Sequence, residues 1–153
     1  MWNSKKSVIL SLVVCFAVAL VLIVTLFAMP QLASMYFGNW RGFSQEAVAL
    51  VTKTVLICYY PSAILGLVAL VALIKMLFNI KAEKLFIGEN VLFLRVISWC
   101  CFLVALMCAA GAYVYYSLIF ITIAAGFVGL ILRVVKNVMQ SAVELQCEND
   151  LTI

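Results

Sequence analysis

Four long apolar runs constrain this chain more than any other feature. They extend from about Val8 to Met29, from about Val55 to Phe78, from about Val96 to Tyr116, and from about Leu118 to Leu132, the last continuing past Arg133 to about residue 135. A helix needs about 20 apolar residues to cross a bilayer core about 30 Å thick. Lipid offers backbone N–H and C=O groups no partner, so runs of this length are helices rather than strands. Composition agrees: the chain is 68% hydrophobic and 10% charged, with a mean hydropathy of +1.25, outside the range of soluble domains. The expected fold class is all-α, a polytopic membrane protein built as a four-transmembrane-helix bundle within a single membrane domain over 1–153. Residues 136–153 are expected as a cytoplasmic stalk and tail. The segment Tyr113-Val114-Tyr115-Tyr116-Ser117 is the one tight connection, so the last two spans form an antiparallel hairpin. Lys5 and Lys6 ahead of the first run also fit a cleaved signal peptide. The run is longer than such a peptide needs, and Pro30-Gln31 offers no small-residue cleavage site, which favours a retained anchor.

Lysines and arginines set the orientation. Lys5, Lys6, Lys75, Lys81, Lys84, Arg95, Arg133 and Lys136 fall on one side, against Arg41 and Lys53 on the other. Positive residues in short loops stay inside, so both termini are expected in the cytoplasm. The net charge of +4 then reflects the anionic inner leaflet and needs no nucleic acid. Aromatic residues agree with this placing: Tyr36, Phe37, Trp40 and Phe43 fall in an outer loop expected from Pro30 to Gln45, Tyr113, Tyr115 and Tyr116 in the outer turn, and Trp99 near the inner start of the third span. Tyr36, Trp40, Arg41 and Phe43 could bind an amphipathic ligand. Membrane-interface anchoring accounts for them equally well.

The spans carry little chemistry. Cys15, Cys58, Cys100, Cys101 and Cys108 lie within them and Cys147 in the tail, a distribution unlike a disulfide framework. With no histidine, and with Cys100-Cys101 adjacent rather than at ligand spacing, no metal site is expected and the thiols read as packing residues. No Asp, Glu, Lys or Arg lies near the middle of a span, where ion-coupled carriers place one. Without paired carboxylates or a nucleophile beside a base, the chain reads as a non-enzyme with no cofactor. Ser62 and Gly66, Ala105 and Ala109, and Ala125 and Gly129 are small residues four apart, suited to close packing within the bundle or in a homo-oligomer. Pro61 removes a backbone donor from the second span and is expected to kink it, as a packing adjustment or as the frame of a cavity.

The basic side holds the most distinctive segments. One is Asn79-Ile80-Lys81-Ala82-Glu83-Lys84-Leu85-Phe86-Ile87-Gly88-Glu89-Asn90, in which Asn90 is expected to cap the third helix. The other follows the fourth run. There Val135, Val138, Met139, Ala142 and Leu145 recur at helical spacing, with Arg133, Lys136, Asn137, Gln140 and Glu144 between them. The fourth helix therefore continues for about three turns as an amphipathic stalk. Its stripe needs burial against Leu85, Phe86 and Ile87, against the membrane surface, or against a partner. Glu89-Asn90-Val91-Leu92 is echoed by Glu148-Asn149-Asp150-Leu151 in the tail.

The run from Val135 to Ile153 resembles the C-terminal signature of a bacterial family known as domain of unknown function 2975. Phe86-Ile87-Gly88-Glu89-Asn90, followed by Leu94-Arg95, resembles that family's second motif. Gly88 and Cys147 depart from it, standing where more polar residues are usual. The resemblance implies a four-span protein of the bacterial inner membrane, in many genomes encoded beside a small helix-turn-helix regulator. On that basis the expected function is regulatory: the protein holds or releases such a regulator in response to a membrane signal, and binds no nucleic acid itself. Glu144, Glu148, Asn149, Asp150 and Leu151, with Glu89 and Asn90, are the expected partner-binding residues. The alternative is an immunity or passive transport protein working through its outer aromatic surface. A third is a scaffold subunit of a membrane complex.

Overall fold

The structure, a computed structural model, describes residues 4–39, 44–82 and 87–150, with side chains from residue 7 to residue 148. Four helices account for nearly all of them: α1 (Ser4–Gly38), α2 (Gln45–Lys81), α3 (Gly88–Gly111) and α4 (Leu118–Asp150). No strand occurs among the described residues. All four helices are long and apolar enough to cross a membrane.

Helices α1, α2 and α4 outrun the apolar runs that mark them, because helical hydrogen bonding does not stop where hydrophobicity does. Helix α3 begins earlier than its run, at Gly88, but ends at Gly111, short of the expected Tyr116, where the hairpin turn takes over. The expected outer loop from Pro30 to Gln45 is the largest correction. Pro30 lies inside α1, which continues to Gly38. Ala33 and Phe37 on these extra turns are buried against Val55 of α2. That contact offsets the single backbone donor that proline removes. The next helix opens at Ser44, whose Oγ accepts from the Ala47 N–H at 3.3 Å, with Glu46 favourably placed in the first turn. It stays helical through Pro61.

The start of α3 also differs from expectation. Ile87 is the cap residue, extended at φ −118° and ψ 146°, and it offers no side-chain bond. Asn90 sits in the first turn, its N–H donating to the Ile87 carbonyl at 3.0 Å. Its side chain is wholly buried and accepts from Asn79 Nδ2 of α2 at 3.0 Å. Burial of the Asn90 amide demands a partner, and the bond across to α2 meets that demand in place of a local cap.

The helices pack in series, α1 on α2, α2 on α3, and α3 on α4. Among the described residues no other pair of helices approaches closely, so the bundle is open rather than closed into a square. Small residues set the contacts. Gly129 of α4 lies where an added Cβ would meet Cys101 Cβ at 3.3 Å, and Ser98 Oγ donates to the Gly129 carbonyl at 2.9 Å. Gly66 of α2 faces Leu22 of α1 at 3.6 Å. Both glycines thus serve packing within the chain. Cys58, Cys108 and Leu118 cluster at the other end. There the hairpin turn is closed by bonds of 3.0 Å from the Val114 and Tyr115 N–H groups to the Gly111 carbonyl. Tyr115 reaches back to α1, its ring edge-on to Phe37 at 5.5 Å.

Two outcomes follow for stability in mild detergent. A Cβ at Gly111 would lie 2.6 Å from Cys58 Sγ and 2.8 Å from Leu118 Cδ1. Gly111→Ala is therefore expected to destabilise by about 1–3 kcal/mol, as overpacking does. Gly126→Ala meets nothing within 4 Å and is expected to be tolerated. Thermal unfolding of the two variants checks this, and equal melting temperatures would contradict the packing described. Asn90→Leu strands the Asn79 amide and is expected to cost about 1–3 kcal/mol. The Asn79→Leu/Asn90→Leu pair should cost less than the sum of the single changes, so additive unfolding energies would contradict the amide tie.

Candidate functional site

The end of the molecule where α2 finishes, α3 begins and α4 extends is its basic end. It carries Lys75, Lys81, Arg95, Arg133 and Lys136. Arg95, Ser98 and Trp99 occupy successive positions at i, i+3 and i+4 of α3, and Arg133 and Lys136 stand at i and i+3 of α4. These five side chains line a hollow of about 200 Å³. The Ser98–Gly129 bond ties its two walls together. The Arg133 guanidinium lies 5.7 Å from the centre of the Trp99 ring, a cation–π contact. Arg95 and Arg133 are exposed and Lys136 is half-buried.

A second, wider hollow of about 470 Å³ opens between α2 and α3, lined by Lys75, Phe78, Asn79, Glu89, Leu92 and Phe93. Glu89 is exposed here, in the position next to Asn90 of the Asn79–Asn90 tie. The two residues of the expected Glu89-Asn90 pair therefore differ in access: Glu89 is on the surface and Asn90 is sealed inside.

The extension of α4 is the third feature of this end. With Ser98 opposite Gly129, the antiparallel register puts Gly88, the first residue of α3, about level with Met139. From Gln140 to Asp150 no described helix runs beside α4. The face that α4 turns to α3 contains buried Gly129 and half-buried Leu132, Lys136, Met139 and Val143. At 3.6 residues per turn, the apolar stripe of Val135, Val138 and Leu145 points the other way. It prolongs the line of Phe127, Ile131 and Val134, which are exposed where lipid would cover them. Leu145 is 63% exposed and stands about 18 Å along the axis beyond Arg133. Met139 and Ala142, expected in the same stripe, are half-buried. Leu85 and Phe86 lie outside the described residues.

The expected tail residues have the following setting. Glu144 is exposed and accepts from Gln140 Nε2 at 3.1 Å. Glu148 is exposed. Asn149 and Asp150 belong to the helix backbone, and Leu151 lies outside the described residues. At the opposite end Tyr36 is exposed and its ring stands edge-on to Phe37 at 5.1 Å. Trp40, Arg41 and Phe43 lie outside the described residues. Shallow apolar hollows of about 500 and 510 Å³ flank the hairpin turn there, with Tyr113 lining both.

The basic hollow is the feature that sequence reasoning missed. Arg95, Arg133 and Lys136 count there toward orientation, the family motif and the polar side of the stalk, but not as one cluster. The signal was available, because a hairpin turning near Tyr115 places residue 95 across from residues near 135, which brings the three cations together.

Comparison with known proteins places the chain in a family. A family model described as "Protein of unknown function (DUF2975)" matches residues 41–153. The chain is similar to the uncharacterized membrane protein YoaS of Bacillus subtilis (strain 168), at 26% identity over 99% of both chains. No solved structure matches it. This four-helix membrane protein belongs to the DUF2975 family.

Proposed function

We propose that the protein is a membrane-embedded, non-enzymatic regulator that binds or sequesters a small cytoplasmic helix-turn-helix protein through the extension of α4. The observation that carries this reading is the exposed stripe ending at Leu145, held clear of α3 on a helix that runs unbroken to Asp150. A helix continuous with a membrane span has a fixed direction and loses little entropy on binding, which favours a docking surface. The basic end is taken as cytoplasmic by the positive-inside rule, in a bacterial inner membrane. Glu144 and Glu148 give the extension an acidic polar side, matched to the basic DNA-facing surface of such a regulator. Binding there would compete with DNA for the same cationic surface. The class of partner comes from the family resemblance rather than from the geometry.

Charge reversal tests it. Glu144→Lys/Glu148→Lys is expected to lower affinity for the regulator about tenfold, equivalent to about 1.4 kcal/mol, without changing helical content. Co-purification from membranes in mild detergent, followed by titration, measures this. Equal recovery of the regulator by the wild-type and reversed chains would sink the role given to the extension.

A further inference from the structure

We propose that the hollow between α3 and α4 at the basic end binds the phosphate of an anionic phospholipid, whose acyl chain lies in the groove between the two helices. Three cations from two helices converge on one small hollow, Arg95 from α3 with Arg133 and Lys136 from α4. Among the described residues no carboxylate forms an ion pair with any of them, and Glu89 lines the neighbouring hollow instead. Like charges gathered in this way repel unless an anion sits among them.

The walls are built in advance. Ser98 Oγ is committed to the Gly129 carbonyl, so it sets the spacing of α3 and α4 and leaves the anion to the cations. The Arg133 guanidinium lies over the Trp99 ring at 5.7 Å, a contact that helps keep it at the hollow. Arginine in such a contact can still offer its planar fork of N–H donors to a phosphate in a two-pronged arrangement.

Position favours a lipid over a soluble phosphate. Arg95 and Arg133 stand at the ends of the apolar runs, at the depth of a headgroup. Below Arg95, residues Trp99, Phe102 and Leu106 follow on the same face of α3, and Leu106 is 69% exposed. Below Arg133, the matching face of α4 presents Leu130, Gly126 and Ile123. Nothing lies within 4 Å of where a Cβ on Gly126 would be, so the groove is open there. An acyl chain fits this open apolar track, and inorganic phosphate would have no use for it. The site does not depend on what the α4 extension binds.

The test uses the full chain in mild detergent, with native mass spectrometry reading bound phosphatidylglycerol against phosphatidylcholine. Wild-type protein is expected to retain phosphatidylglycerol selectively. Arg95→Gln/Arg133→Gln is expected to weaken that binding about tenfold or more, and the charge-matched control Lys5→Gln/Lys6→Gln less than about twofold. Arg95→Lys/Arg133→Lys keeps the charge and the fold but loses the two-pronged geometry, so an intermediate loss is expected. It also serves as the test if the glutamine variant is not recovered folded. Equal losses in the pocket variant and the control overturn the proposal in favour of general surface charge. So does equal binding of the two lipids. Millimolar inorganic phosphate is expected to leave the lipid bound; displacement would overturn the lipid as occupant and assign the hollow to a water-soluble phosphate compound.

Discussion

Lipid cannot hydrogen-bond, and the rest of the structure follows from that constraint. Backbone groups in the spans must find their partners within the protein, which for apolar runs of this length favours helices. Side-chain hydroxyls obey the same demand. Thr25, Thr52, Thr54, Ser62 and Thr122 each donate to a carbonyl one turn back, and Tyr59 donates to Thr25 Oγ1 at 2.7 Å. Among the described residues no buried side-chain polar atom lacks a partner. The two polar ties between helices at the basic end, Asn79–Asn90 and Ser98–Gly129, fix how α2 meets α3 and how α3 meets α4. Packing does the corresponding work at the other end, through Phe37, Tyr115 and the Cys58–Cys108–Leu118 cluster.

The serial arrangement has a functional consequence. An open row of helices leaves both of its faces and both outer helices to lipid, so apolar exposure along α1 and α4 is ordinary solvation by the bilayer. Polar and charged exposure is what remains to be explained, and it concentrates at the basic end. The cationic hollow sits at the root of the α4 extension, and Lys136 lies on the face that α4 turns to α3.

Much of this architecture was legible from the chain alone, because apolar length and a shift to amphipathic spacing are strong signals. Four helices, the tight turn near Tyr115 and the continuation of α4 past Arg133 all emerged from those two. Pro30 misled, since proline reads as an end of a helix when the burial of Ala33 and Phe37 that outweighs it is a tertiary fact. Asn90 misled for the same reason: its position before a span looks like a cap, and only the packing reveals Asn79 opposite. The stripe on the α4 extension was visible, but not its direction. That direction is set by Gly129, whose close approach to Cys101 turns Leu132, Lys136 and Met139 toward α3. The cationic hollow needed the pairing of two helices, which single-helix periodicity does not report.

The central claim is that a docking surface stands in the cytoplasm at the end of α4, and one thiol measures it. Cys147 is exposed on the extension, whereas Cys15, Cys58, Cys100 and Cys108 are buried and Cys101 is half-buried within the apolar runs. A membrane-impermeant maleimide is expected to leave intact cells unlabelled and to label inverted membrane vesicles at this one site, with the signal absent in Cys147→Ser. Labelling of Cys147 in intact cells would put the extension outside and contradict the account.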